Sequence, residues 1–372
     1  MITDEKRNEL LNAFPFAGTF SEVTELKVGH INNTFVFHFD ENGKTVKYLI
    51  QRINTYVFKD PVGLMENMVA VTEYLQKIVA AQGGDVSREV LCVIPAKDGK
   101  PYFVDKENGY WRCLNFITDS HSLQTVTDTK AAYDAARAFG NFQRQLADYP
   151  IETLHETIPN FHNTVSRMAN FKASLQKDAC NRAHTVPDEI KFVLDREADC
   201  SLLLDLAAKG ELPLRVTHND TKLNNVMFDD ATNEGICVVD LDTVMPGLSL
   251  YDFGDSIRFS ANTASEDDRD PSHVSLSLPH FEAYTKGYLS AAGKALVKAE
   301  IDYLPHSAKI MAFESCIRFL TDYLDGDVYF HTAYPDHNLV RCRTQLALVA
   351  DIERKFGEMQ KIVADCCAEL GL

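Results

Sequence analysis

Val216-Thr217-His218-Asn219-Asp220-Thr221-Lys222-Leu223-Asn224-Asn225, followed by Ile236-Cys237-Val238-Val239-Asp240-Leu241-Asp242, is the stretch from which the fold is read. Asp220 offers a carboxylate that can align an acceptor hydroxyl and take its proton, and Asn225, five residues later, offers an amide oxygen to Mg²⁺. Lys222 can neutralise charge on a transferring phosphoryl group. A polar turn between two strands would also use Asn and Asp, because both turn and cap the backbone. The second half favours chemistry. Val226-Met227-Phe228 reads as a strand, Asp229 to Gly235 as a turn, and Ile236 to Val239 as a buried apolar strand, a hairpin returning Asp240 beside Asn225. An acidic residue closing an apolar strand is costly to bury unless it is paired or holds a metal.

Composition sets the bounds. The chain has 372 residues, long enough for two lobes with their own cores, and 45% hydrophobic with 24% charged residues is ordinary globular usage. A net charge of −17 argues against nucleic acid or an anionic membrane as partner, whereas local cations and Mg²⁺ decide a nucleotide site. No apolar run reaches the roughly 18 residues of a membrane span. The charged opening Met1 to Arg7 lacks the apolar core of a signal peptide, and the nine cysteines show no CxxC or Cys/His metal spacing. Reduced thiols in a cytoplasmic protein are therefore expected.

The first third reads as β-rich. A helix at 3–14, capped by Thr3, precedes a turn at Gly29-His30-Ile31-Asn32-Asn33 and an alternating strand from Thr34 to Phe39. Asn42-Gly43 signals a hairpin, and Val46 to Ile53 returns. Small residues at the first turn allow backbone N–H groups to approach phosphate, which makes Gly29 and Asn32 nucleotide-site candidates, although with one glycine a plain hairpin explains the turn better on local evidence. His30 suits either a backbone carbonyl or a substrate hydroxyl. Asp60-Pro61 opens a helix of about twenty residues on which Glu66 or Glu73 could reach the strand cation, although solvent is the expected place for both. Strands at Val90–Pro95, Tyr102–Val104 and Tyr110–Ile117 follow, separated by hairpin turns, the last leading to a connector at Cys113–Ile117 for an adenine ring.

Helical pattern takes over from about residue 119: Tyr133–Leu146 with Gly140 as a close-packing point, then helices around 165–177 and 187–208. His155, His162 and His184 have no metal spacing and read as surface or capping residues. Asp252 or Asp255 is expected to cap the helix it enters and to accept backbone N–H groups from the 218–225 loop, and the Asp252-Phe253-Gly254 string lacks the apolar strand that precedes Asp240. On a helix from Ala308 to Tyr323, Glu314, Arg318 and Asp322 recur every four residues. That stripe is either a solvent-facing ion-pair ladder or a substrate wall, in which carboxylates hold the arginine toward sugar hydroxyls, with Tyr329 closing the pocket.

His218-Asn219-Asp220 with Asn225, and Asp240-Leu241-Asp242, match the H-R-D-x-x-x-x-N and D-F-G parts of protein-kinase-like enzymes. With Phe253-Gly254-Asp255-Ser256-Ile257-Arg258-Phe259 and Asn338-Leu339-Val340-Arg341, the chain resembles the aminoglycoside phosphotransferase and choline kinase branch, and within it the N-acetylhexosamine 1-kinases. The resemblance implies an α+β fold that is bilobal and protein-kinase-like, with an N-terminal antiparallel sheet lobe for nucleotide (1–117) and a larger, mainly helical C-terminal lobe for catalysis and substrate (118–372). It implies ATP- and Mg²⁺-dependent phosphorylation of the anomeric hydroxyl of GlcNAc or GalNAc. Carried onto matching positions, Asp220 is the implied base, Asn225 and Asp240 the metal ligands, and His30, Arg318 and Tyr329 the sugar contacts. One departure stands out: Gln51 occupies the place of the V-A-I-K lysine, so either Gln51 meets phosphate or Arg52 or another cation replaces it. Another hydroxylated metabolite as acceptor, or a silent nucleotide-binding regulator, are the competing readings. Acceptor, ATP against GTP, and oligomeric state stay open at this level.

Overall fold

The computed structural model describes residues 2–26 and 31–372. The chain divides into two compact units: Met1–His121, Asp148–Pro159 and Met227–Pro246 form the first, and Ser122–Ala147, Asn160–Val226 and Gly247–Leu372 the second.

The first unit is built on an antiparallel sheet. Its strands are β1 (Thr19–Leu26), β2 (Asn33–Glu41), β3 (Lys44–Arg52), β4 (Val93–Ile94), β5 (Phe103–Val104) and β6 (Tyr110–Asn115), ordered β1-β2-β3-β6-β4 with β5 on β6. Asn42 and Gly43 turn the β2–β3 hairpin with φ of 57° and 79°, the left-handed pair that matches strand twist and that Asn-Gly adopts readily. Phe35, Phe37 and Phe39 enter a core with Leu10, Phe14, Ile50 and Trp111. The expected alternation along β2 is not observed, because Thr34 and Val36 are buried as well, so both faces are covered. Thr3 caps the first helix, Asp4–Ala13, through Lys6 N (3.2 Å). Asp60 caps the helix Pro61–Ala81 through Gly63 N (2.9 Å), and Leu64, Met68, Val71 and Leu75 form its buried face. A second sheet in this unit joins β7 (Ser120–Ser122), β9 (Val226–Asp229) and β10 (Gly235–Val238) in the order β10-β9-β7; β7 has no signal in the sequence.

The second unit is mainly helical, apart from the short strand β8 (Arg215–Thr217). Its core gathers Tyr251, Phe253, Phe281, Tyr284, Phe313, Ile317 and Leu320 around the helices Ser249–Ser260, Leu278–Ala292, Leu304–Asp325 and His337–Leu370. Where one helix was expected at 187–208, three segments stand: Pro187–Asp195, a 3₁₀ turn Glu197–Ser201 and Leu202–Ala208. At the break, the Arg196 guanidinium folds back to Glu353 (3.0 and 2.7 Å) and lies on the Phe192 ring. All nine cysteines are free thiols, and among the described residues no helix is long and apolar enough to cross a membrane.

Helices Thr129–Gln145 and Leu278–Ala292 approach through a reciprocal glycine contact. A Cβ on Gly140 would lie 2.7 Å from the Tyr288 carbonyl oxygen, and one on Gly287 would overlap the Tyr133 carbonyl. In an open helix, Gly→Ala stabilises by about 1 kcal/mol. Here the neighbour is backbone, which cannot rotate away, so the sign reverses. Gly287→Ala is expected to cost about 1–3 kcal/mol, read as a lowered denaturation midpoint; an unchanged or raised midpoint would show that the helices can separate without loss.

Candidate active site

The catalytic-loop candidate runs out of β8 along buried backbone: Thr217, His218 and Asn219 are all nearly inaccessible. Asn219 adopts φ 65°, which Asn tolerates better than most residues. N–H groups buried this way need acceptors, and the helix Ser249–Ser260 supplies them. Asp252 accepts from His218 N (2.9 Å), Asn219 N (2.7 Å) and the Gln143 amide (2.8 Å). Asp255 accepts from Thr221 N (3.1 Å) and is paired with Arg258 at 2.9 Å. Burial pushes the Asp252 carboxyl up, against the pull of His218 and of these donors. The contacts give both aspartates the supporting role read from the sequence, but neither caps the helix, whose N-cap Leu248 makes no side-chain cap bond.

Asp220 projects from this anchored loop. Its Oδ1 meets Lys222 Nζ at 2.7 Å, and its side chain is 27% exposed. Burial works against both charges, but the pair outweighs it: Asp220 is held below the usual carboxylate range and Lys222 above the usual amine value. Asn225 donates through Nδ2 to the Asp220 carbonyl (2.8 Å), and the Asp220 Oδ2 is 3.4 Å away. The Asn225 Oδ1 therefore accepts from no described residue and remains a hard oxygen donor of the kind Mg²⁺ takes.

A second anchor was not foreseen. His162, expected at the surface, is buried, with Nδ1 2.9 Å from Glu314 Oε1 and Nε2 3.0 Å from the Asn219 carbonyl oxygen. A carbonyl only accepts, so Nε2 carries a proton; an ionised Glu314 requires one on Nδ1 too. Thr164 Oγ1 donates to the other Glu314 oxygen at 2.7 Å. Burial raises the Glu314 carboxyl, but His162, Arg318 and Thr164 bring it below its ordinary value.

The 314–322 stripe is thus no ion-pair ladder, nor do carboxylates hold its arginine. Glu314 and Asp322 are both buried. Asp322 gathers the backbone N–H groups of Val328, Tyr329 and Phe330 and the Asn338 amide, all at 2.8–2.9 Å. Arg318 instead lies over the rings of Phe161 (5.6 Å) and Phe330 (5.4 Å), with no carboxylate in ion-pair range among the described residues. Phe330 also packs on Tyr329 (4.8 Å), so the two sugar-contact candidates of this unit share one aromatic patch. Arg167 joins them unannounced: burial and the like charge of Arg318 pull its guanidinium below its ordinary value.

In the first unit, Asp240 closes β10 in the left-handed conformation (φ 60°, ψ 57°) and is exposed. The burial argument for it therefore fails, since its strand is only partly covered and the turn lifts the residue outward. Arg52 is exposed, and Gln51 is half-buried, donating to Thr34 Oγ1 at 3.1 Å. The buried cation is Arg112, directly across from Gln51 in the β3–β6 register and ion-paired with Asp242. Asn32 donates to the same Asp242 carboxylate (2.5 Å). Glu66 pairs with the exposed His155 at 2.7 Å and Glu73 faces solvent, as expected of both glutamates. Gly29 and His30 lie outside the described residues.

A family model described as a phosphotransferase enzyme family matches residues 22–288. The chain belongs to that family. Its fold is shared with other kinase-like proteins. The aminoglycoside phosphotransferase of Alicyclobacillus acidocaldarius superposes with a TM-score of 0.64 at 11% identity, covering 98% of this chain and 97% of that one. A choline/ethanolamine kinase family protein from Mesorhizobium loti gives 0.57 at 17% identity over 98% and 99%. Spectinomycin phosphotransferase, in complex with ADP and spectinomycin, gives 0.57 at 13% over 96% and 99%. The α+β architecture, an N-terminal antiparallel sheet with a larger helical part, is that of kinase-like folds.

Of the residues the sequence left unassigned in this phosphotransferase, Arg112 had the clearest signal: a lone charge inside the apolar run Tyr110–Ile117. His162 and Arg167 had none. Since the Glu314 carboxyl is depressed, the stability it contributes is present above about pH 4.5 and is lost as pH falls through its folded value. Glu314→Gln is expected to lower stability at neutral pH by about 1–3 kcal/mol. The difference from the parent chain should shrink on acidification in urea titrations; a pH-independent difference would remove the charge from the account.

Proposed function

We propose that this phosphotransferase is an ATP- and Mg²⁺-dependent sugar 1-kinase that phosphorylates the anomeric hydroxyl of N-acetylhexosamines, GlcNAc or GalNAc, by direct in-line transfer. The observation that carries the acceptor class is the arginine pair. Arg318 stands one helical turn beyond Glu314, the residue whose partner His162 holds the loop of Asp220. Beside it, Arg167 has a buried Nε with no acceptor among the described residues. Two adjacent guanidinium groups present N–H donors to oxygen atoms and repel a quaternary ammonium such as choline. The rings of Phe161 and Phe330, which a cationic acceptor would need, already carry Arg318. A sugar uses both features: hydroxyls for the arginines and an apolar ring face for Tyr329 and Phe330.

On this reading Asp220 orients the sugar O1 hydroxyl and receives its proton. Lys222 keeps that carboxylate ionised, since it occupies one carboxylate oxygen and leaves the other for the acceptor. Asn225 and Asp240 would hold Mg²⁺, and the open Asn225 oxygen and the exposed Asp240 carboxylate suit a hard cation. Held there, Mg²⁺ would supply positive charge against the anionic phosphates of the nucleotide. Asn32, Gln51 and Arg52, with Gly29, are assigned to the nucleotide side, and His30 to the sugar.

ATP consumption with Mg²⁺ is to be compared across GlcNAc, GalNAc, glucose, galactose, choline, homoserine and an aminoglycoside. An acid-labile 1-phosphate from the N-acetyl sugars is expected, and turnover confined to another acceptor would discard the sugar assignment. Asp220→Asn should lose about 10²–10⁴-fold in kcat with nucleotide binding retained; near-normal turnover would remove it as the base. Asp240→Asn should raise the Mg²⁺ concentration needed for half-maximal rate, and unchanged metal dependence would exclude it as a ligand.

A further inference from the structure

Kinase-like enzymes pair a strand lysine with a helix glutamate beside the nucleotide phosphates. This chain has Gln51 at the lysine position, and the glutamates of the Pro61–Ala81 helix lie elsewhere: Glu66 on His155, Glu73 in solvent. We propose that the missing ion pair has been rebuilt one strand over, with Arg112 as the positioning cation of the nucleotide site and Asp242 as its carboxylate. The inference rests on the phosphotransferase reading but not on the identity of the acceptor.

Three observations within the first unit carry it. Cross-strand partners share a face of the sheet, so Arg112, opposite Gln51, projects from the face that would have carried the lysine. Its side chain is 1% exposed, and Nε and Nη2 both donate to Gln51 Oε1, at 2.8 and 2.6 Å. Gln51 thus serves as the bracket that aims the guanidinium, while Nη1 reaches the Asp242 carboxylate. An uncompensated charge is not tolerated at such burial, so each member requires the other.

The destination of the pair shows its purpose. Asp242 stands two residues after Asp240, inside the 3₁₀ turn Leu241–Thr243 that follows it. Its second oxygen takes the Asn32 amide at 2.5 Å, and Asn32 Oδ1 accepts from Asn54 N at 2.9 Å. One carboxylate therefore joins the turn after the metal-ligand candidate to the start of β2. From the other side Asn67, buried on the Pro61–Ala81 helix, donates to the Val244 carbonyl at 3.0 Å and closes the same turn. Helix and sheet both fix the Asp240 turn, and Arg112 brings a charge to it.

The test is binding of Mg·ADP by calorimetry, which needs no acceptor, alongside steady-state KM values and thermal unfolding. Arg112→Met is expected to weaken Mg·ADP binding by about 10–100-fold and to raise KM for ATP while KM for the acceptor stays put. The double variant R112M/D242N removes both buried charges; it should regain thermal stability yet still bind Mg·ADP weakly. It also serves as the comparison if R112M alone fails to fold. Wild-type affinity in R112M, or full recovery of affinity in the double variant, would overturn the proposal and leave the pair a matter of folding only. A parent chain that bound no Mg·ADP would overturn the phosphotransferase reading with it.

Discussion

Two aspartates on the helix Ser249–Ser260 hold the backbone of the 218–221 segment, and the rest of the candidate site depends on that restraint. The segment is buried and irregular, so its N–H groups have neither water nor a strand to satisfy them. Asp252 accepts from two consecutive residues and Asp255 from Thr221, each carboxylate taking the place of a missing β-ladder. The helix is itself fixed by Phe253 in the core and by Gly254, which lies against the Ser307 carbonyl. Asp-Phe-Gly in this part of the chain is therefore a packing signature: acceptor, core plug and close approach in three residues.

The same logic recurs wherever a charge is buried. Glu314 with His162, and Arg112 with Asp242, each take two ionisable groups out of water, a cost met only when the remaining donors and acceptors are also paired. In both cases they are: Thr164 completes Glu314, and Gln51 and Asn32 complete the Arg112 network. Such pairs add little net stability over apolar packing, but a displaced partner leaves a bare charge, which makes them sensitive to position. Their contacts lead to backbone beside the candidate site residues: the Asn219 carbonyl next to Asp220, and the turn after Asp240.

Much of this was legible in the chain because it depends on neighbours in sequence. The capped helix starts at Thr3 and Asp60, the Asn42-Gly43 hairpin, the Gly140 contact and the aspartate supports need only local patterns or a short polar motif. The helical stripe of Glu314, Arg318 and Asp322 shows where a sequence argument stops. Spacing places the three on one face but is silent on what that face meets. It meets the interior at both carboxylates, where His162 and the 328–330 backbone compete successfully for them, and Arg318 is left to two aromatic rings. Asp240 failed in the opposite direction, a carboxylate inferred buried that a left-handed turn exposes.

By itself the sequence determined the family, the α+β class, and the candidate loop that bears Asp220, Lys222 and Asn225, because that candidate rests on residue types at short fixed spacings. Only the tertiary structure decided which cation is buried in the sheet of the first unit and which histidine braces the 218–221 loop. Arg112 and Gln51 are 61 residues apart, and His162 and Glu314 are 152 apart. Strand register and helix packing brought them together; the sequence marks Arg112 as a lone charge in an apolar run but names neither pairing.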